Sequence, residues 1–206
     1  MMLGFEWRWR TLQPVLGVGL SAWLATACGL DASHAAASPD IRYVRAADAK
    51  PYGDAANAHA RLIASAPDGT KTYALILGKG DEVVTAVTRF AKLEKIGNAH
   101  LQAIGAVREP EIAWFDFERS AYKALRFHAQ MEVLTLSGDV TEASNGEPAV
   151  HMHVALGDAE GHAFGGHLLN AITSPTLEVY VTSYPEPLHK RVEPALGLEL
   201  IDLTQK

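Results

Sequence analysis

The second half of this chain is a succession of short β-prone runs that follows a single helical pattern. Gly, Pro, Asn or Asp separates one run from the next, as is typical of strands joined by turns. An earlier run, KTYALIL at residues 71–77, has the apolar character of a strand covered on both faces. We therefore expect an α+β fold: one compact domain with a central, largely antiparallel sheet. The later runs are HLQAIGAV, EIAWFDF, ALRF, MEVLTLSGDV, AVHMHVAL, TLEVYVTSY and LELIDL.

The helical pattern lies between the first β-prone run and the later ones. Asp81 is suited to cap a helix, and Gly97 is suited to end it. A stripe of apolar residues at 3.6-residue spacing would face the core. The sequence therefore predicts one amphipathic helix between residues 81 and 97. The stripe consists of Val83, Val84, Val87, Phe90 and Ala91.

Length and charge limit the classes of protein to which the chain can belong. With 206 residues, of which 48% are hydrophobic and 20% charged, it is long enough for one domain with a substantial core. Its formal net charge is −6. Proteins that grip phosphate backbones rely on clustered Lys and Arg, so this balance argues against nucleic acid as a partner.

The first 37 residues have the pattern of a secretory signal peptide. Arg8 and Arg10 precede a mostly apolar stretch at 15–27, and small residues follow it up to a cleavage site after Ala37. We expect residues 1–37 to be removed and the mature protein to be periplasmic or secreted. The second choice is lipid attachment at Cys28, which would anchor the chain to a membrane. Residues 38–70 then form a lead-in segment, and residues 71–206 form the domain.

Four of the nine histidines lie between residues 151 and 167. His151 and His153 are two apart in a β-prone run, so both side chains point to the same face of the strand. The segment GDAEG is suited to a hairpin turn that returns the chain and places His167 near this pair. His162, beside that turn, is expected to be exposed to solvent.

Three imidazoles arranged in this way suit Zn²⁺, with a fourth position left for water or a ligand. Cleavage after Ala37 would remove the only cysteine, so a metal site in the mature chain must use histidine and carboxylate. The alternative is that the histidines are only polar residues on a half-exposed strand. A hydrolytic zinc site would also need a carboxylate base, and Glu132, Asp139 and Glu178 on predicted strands are the candidates.

Several of these segments, in order and spacing, resemble the plants-and-prokaryotes-conserved (PPC) domain. The likeness covers about residues 71–204. It implies a sheet flanked by helices, assembly into a homotrimer, and a structural zinc ion on His151, His153 and His167. The segments are GDEVVTAVTRFAKLEKIGNAHLQAIGAV, MEVLTLSGDV, PAVHMHVALGDAEGHAFGGHLL, TLEVYVTS and HKRVEPALGLELIDL.

The same resemblance also brings a DNA-binding association, because plant members carry Arg-Gly-Arg-Pro segments before the domain. No such segment occurs in this sequence. The main expectation is an exported trimer that holds zinc and acts in binding or assembly, with an unknown small ligand. A periplasmic zinc-dependent hydrolase is the second hypothesis, and a DNA-binding protein is the third.

Overall fold

The computed structural model describes residues 38–205, which form ten β-strands and one α-helix. The expected signal peptide at 1–37 and the alternative lipid site at Cys28 lie outside the described residues. No helix in the described range has the length and apolar character needed to cross a bilayer. The elements are β1 (Asp40–Val44), β2 (His59–Ser65), β3 (Lys71–Leu77), α1 (Val83–Glu94), β4 (Asn98–Asp116), β5 (Ala121–Arg126), β6 (Gln130–Glu142), β7 (Pro148–Gly157), β8 (Ala163–Ser183), β9 (Lys190–Glu193) and β10 (Leu198–Ile201).

Eight of these strands form one antiparallel sheet in the order β1-β5-β4-β6-β7-β8-β3-β2. A further pairing between β4 and β8 closes the sheet on itself, so that β4, β6, β7 and β8 form a continuous ring. Strands β9 and β10 form a separate hairpin. The lead-in segment supplies β1 and β2, which pair with β5 and β3.

The expected α+β class, with helices flanking the sheet, is wrong. Beside ten strands, residues 38–205 contain a single α-helix, which is 12 residues long. Closure of the sheet lets strands face one another across the core, where Leu77, Leu101 and Val181 are fully buried. Helix α1 adds Val87 to this same cluster. The protein is therefore mostly β, because the curved sheet encloses its own core and needs only one helix to cover it.

Two strands are longer than the sequence pattern indicates. Strand β4 has 19 residues and β8 has 21, and each joins runs that Gly or Pro separates in the sequence. Irregularities in the β4–β8 register accommodate these residues within the strands. At Gly105, φ is 143° and a Cβ would collide with the carbonyl oxygen of Thr176, so only glycine fits. The long strands carry residues from one end of the sheet to the other.

The predicted helix is confirmed as α1, but its N-terminal cap is different. Glu82 is fully buried, and its carboxylate accepts hydrogen bonds from the backbone N–H groups of Val84, Thr85 and Ala171. Burial raises the pKa of Glu82. Asp81, the predicted cap, instead accepts from the backbone of Gly78 and a neighbouring loop. Glu82 therefore ties the start of α1 to β8.

We expect Glu82→Gln to lower the free energy of unfolding by about 1–3 kcal/mol, because the amide replaces one acceptor oxygen with a donor and leaves a buried N–H group without its partner. Urea denaturation followed by circular dichroism measures this change. Glu118→Gln, at an exposed position, is the control. Equal midpoints for the two variants would contradict the capping role.

Candidate metal centre

Strands β7 and β8 form the hairpin that carries the histidine cluster. His151 and His153 flank the buried Met152 on β7 and project from the opposite face. His153 pairs directly with His167 on β8. The connecting turn is closed by hydrogen bonds between the backbones of Asp158, Gly161 and His162. The hairpin predicted from the sequence thus brings these three histidines together.

One nitrogen from each of the three rings lies within 4.8 Å of the others. The ring centroids are 5.1 Å apart for His151–His153 and for His151–His167, and 5.5 Å apart for His153–His167. Zn–N bonds are about 2.0–2.1 Å long, so two nitrogens on one ion are separated by at most about 4.2 Å. A small change in ring orientation closes the difference. The donor set therefore fits a zinc ion.

Two neighbouring side chains orient these rings. Asp139, the residue paired with His151 across β6 and β7, places Oδ2 3.4 Å from His151 Nδ1. Tyr122 on β5 stacks on His167 with ring centroids 4.8 Å apart and an angle of 5° between the planes. A carboxylate behind a histidine is a common arrangement around metals, since it orients the ring and makes it a better donor.

The surroundings of His153 and His167 favour the neutral form of both rings. Burial, and then the charges of His151, His153 and Lys190, lower the pKa of His167 to about 3. Partial burial and the charge of His151 lower the pKa of His153. Only a neutral imidazole can coordinate a metal. At neutral pH these rings are therefore already in the form that a metal requires.

Glycines allow the strands to approach closely behind the cluster. A Cβ at Gly138 on β6 would collide with the carbonyl oxygen of His151. Gly166 immediately precedes His167 in the sequence. A Cβ at Gly166 would lie 2.7 Å from the carbonyl oxygen of Ala113 on β4. Both contacts involve backbone atoms, which cannot move aside without shifting a strand. The positions of His151 and His167 thus depend on these two glycines.

We expect Gly138→Ala to destabilise the protein by about 3 kcal/mol and to weaken metal binding, because the methyl group pushes β7 and His151 away. Gly157→Ala is the matched control on the adjacent strand, where the nearest atom is the flexible end of Leu134 at 3.2 Å. Thermal denaturation and zinc titration measure both effects. A loss for Gly157→Ala as large as that for Gly138→Ala would argue against the close approach.

The structure separates the carboxylates considered as catalytic bases. Asp139 contacts His151, whereas Glu132 and Glu178 are exposed and do not join the histidine donor group. His162 is exposed, as expected, with Nδ1 2.9 Å from Asp158 Oδ2. Among the candidate bases, only Asp139 is beside the site, and there it contacts a ring nitrogen.

A pocket of about 890 Å³ opens in front of His151 and His167. Its walls include Tyr122 and Lys190, neither of which the sequence analysis selected. Lys190 gave no signal, because the adjacent Lys190 and Arg191 are alike in type and the sequence does not show which of them is buried. Tyr122 gave no signal, because its contact with His167 joins residues distant in the sequence.

Fold and site together define a class of protein: a closed antiparallel sheet with three clustered histidines on one hairpin that could hold a metal ion. The sequence profile of the Plants and Prokaryotes Conserved domain matches residues 64–185. The chain belongs to this PPC family, as its sequence resemblance predicted.

Solved structures of similar proteins agree with this assignment. A PPC protein from Pyrococcus horikoshii is 32% identical, with a TM-score of 0.61 over 66% of this chain and 93% of that one. A metal-containing protein from Archaeoglobus fulgidus is 33% identical, with a TM-score of 0.59 over 64% and 92% of the two chains. A Bacteroides thetaiotaomicron protein, provisionally described as DNA-binding, is 27% identical, with a TM-score of 0.65 over 72% and 99%.

A curated relative has a different overall organisation. The bifunctional protein GlmU from a Synechococcus strain is 28% identical over 138 residues, which are 65% of this chain. They are only 20% of that protein's length. The similarity therefore concerns a part of that protein.

Proposed function

We propose that this protein is an exported, trimeric PPC-domain protein that holds one zinc ion on His151, His153 and His167 and serves in binding or assembly. The observation that carries the proposal is the convergence of three histidine nitrogens within 4.8 Å. The similar protein from Archaeoglobus fulgidus is described as metal-containing, which supports a metal in this chain. Zinc would link β7 to β8, and its binding energy would be available only to the folded chain.

A binding role is favoured over hydrolysis. The carboxylate beside the histidines, Asp139, faces the Nδ1 atom of His151, where it orients a ligand rather than a water molecule. A three-histidine zinc ion keeps a position for an external ligand. The negative net charge of the chain argues against DNA as that ligand.

Zinc titration against a chelating dye, with the oligomeric mass measured by light scattering, tests the proposal. The expected result is about one zinc per chain and a mass of about three chains. A folded protein that binds no zinc would overturn the metal site. A monomer that binds zinc would overturn only the trimer.

An exposed row of apolar side chains supports self-association. Ile76 on β3 and Ile104 on β4 flank Glu178 of β8, and Leu134 lies at the same level on β6. Tyr180 lies two residues from Glu178 on the same face of β8. We call these four residues, without Glu178, the apolar row; all four are exposed. Exposed apolar groups of this kind mark protein–protein contacts, and a trimer would bury them.

Ile104→Glu is expected to convert the trimer to monomers, because a second carboxylate beside that of Glu178 would add like-charge repulsion and a further desolvation cost to each subunit contact. Size-exclusion chromatography with light scattering measures the mass. Leu93→Glu, on α1 and 72% exposed in the wild type, should leave the mass unchanged. A trimer that survives Ile104→Glu would place the contacts elsewhere.

Export rests on the sequence of residues 1–37. N-terminal sequencing of protein from a cell envelope fraction tests it, with a mature start at Ser38 expected. An intact N-terminus in cytoplasmic protein would contradict export, and a lipid-modified Cys28 would replace cleavage after Ala37.

A further inference from the structure

The pocket in front of the histidines is closed by parts of the chain that lie outside the family match. The match ends at residue 185, whereas the β9–β10 hairpin occupies residues 190–201. Ala46 and Ala47, from the short 3₁₀ helix Ala46–Asp48, also line the pocket. They precede the match, which begins at residue 64. These segments therefore supply walls that turn the histidine site into a pocket.

Lys190 at the start of β9 lines this pocket and is only 8% exposed. Between residues 38 and 205, no carboxylate oxygen lies within ion-pair distance of its ammonium group. Glu199 also lines the pocket, but its carboxylate accepts a hydrogen bond from the Ser144 hydroxyl at 2.6 Å and is not within ion-pair distance of Lys190. His189 lies 3.7 Å from Glu142. A buried charge without a counter-charge is costly. Among residues 38–205, Lys190 is thus a largely buried cation without an ion-pair partner.

The neighbouring residue on the same strand provides the contrast. Arg191 points away from the pocket, its side chain is 55% exposed, and it is close to two carboxylates, those of Glu193 and Asp202. Lysine and arginine therefore occupy opposite environments on one short hairpin. The unpaired cation is on the side that faces the histidines.

Much of the remaining wall is apolar. Val150 of β7 contributes from the sheet, and Leu198, Leu200 and Ile201 of β10 contribute from the hairpin. Leu200 and Ile201 keep more than a third of their surface exposed, although they are large apolar residues. Covering such surface stabilises a bound apolar group.

We propose that this pocket binds a small monocarboxylate with an apolar chain, with the carboxylate paired to Lys190 and the chain lying along β10. Lys190 supplies a single ammonium group and the wall along β10 is apolar, a combination that suits a carboxylate on an apolar chain. The inference names the ligand class of the proposed binding function, since His151 and His167 line the same pocket. Its polar contact is Lys190 itself, so it can be tested with and without zinc.

Isothermal titration calorimetry with octanoate tests the proposal on the tag-free full chain, both zinc-loaded and chelator-treated. Acetate, which has no apolar chain, and octylammonium, which has the opposite charge, are the control probes. Lys190→Met removes the charge and keeps the length of the side chain. Arg191→Met removes a charge from the opposite side of the same strand.

We expect octanoate to bind and both control probes to give no measurable heat. Lys190→Met should weaken octanoate binding by at least about tenfold, whereas Arg191→Met should stay within about twofold of the wild type. Octanoate that binds Lys190→Met as tightly as wild type would overturn the proposal, as would no binding to the folded wild type. Binding that depends on Lys190 in a protein that takes up no zinc would uphold the pocket and reject only the metal site.

Discussion

His153→Ala is expected to abolish stoichiometric zinc binding and to lower the melting temperature. Two histidines cannot replace three as ligands, and a metal that binds only the folded state at about 1,000 times its Kd stabilises that state by about 4 kcal/mol. For a chain of this size, that loss corresponds to a shift of about 10 °C. Metal analysis and differential scanning calorimetry of the purified variant measure the two effects.

His162→Ala is the matched control for this experiment. This histidine belongs to the turn of the same hairpin, and its partner is Asp158 rather than the other rings. It should keep its zinc and its melting temperature. Wild-type protein treated with a chelator should have the same melting temperature as His153→Ala. If chelation leaves the melting temperature unchanged, the metal does not stabilise the fold.

Metal-free protein is expected to lose stability steeply as the pH falls from about 6.5 to about 3. The pKa of His167 is about 3 in the folded state, against about 6.5 for an unperturbed histidine. Above this window the ring is neutral in both states and contributes no pH dependence. Within it, only the unfolded chain binds the proton, so unfolding becomes more favourable, by up to about 4–5 kcal/mol at the lower end.

His167→Phe should reduce this pH dependence, since phenylalanine can stack on Tyr122 but has no proton to bind. Urea unfolding at a series of pH values in the presence of chelator gives the comparison. His59→Phe, at an exposed position on β2, should retain the wild-type slope. Equal slopes for the wild type and His167→Phe would show that the buried ring does not cause the acid sensitivity.

The histidine cluster was predictable because its geometry is local. Alternation on a strand places His151 and His153 on one face, and a short turn returns His167 to them. The supporting contacts were not predictable in the same way. Tyr122 stacks on His167 from 45 positions away in the sequence, and Lys190 reaches the same pocket from the last hairpin. Contacts of this kind depend on strand order, which no periodicity encodes.

The fold shows the same division between local and distant information. Helix α1 follows from its apolar stripe, and the structure contains no other α-helix between residues 38 and 205. The additional flanking helices were implied by the resemblance alone. Closure of the sheet through β4 and β8 was hidden, because Gly105 resembles a strand break in the sequence and serves as an irregularity within one long strand.

We propose that this PPC-family protein uses its three clustered histidines to hold zinc. Elemental analysis by mass spectrometry, on tag-free protein purified without added metal or chelator, is the direct test. We expect about one zinc per chain. Folded protein that contains no metal and takes up none from a zinc solution would contradict it.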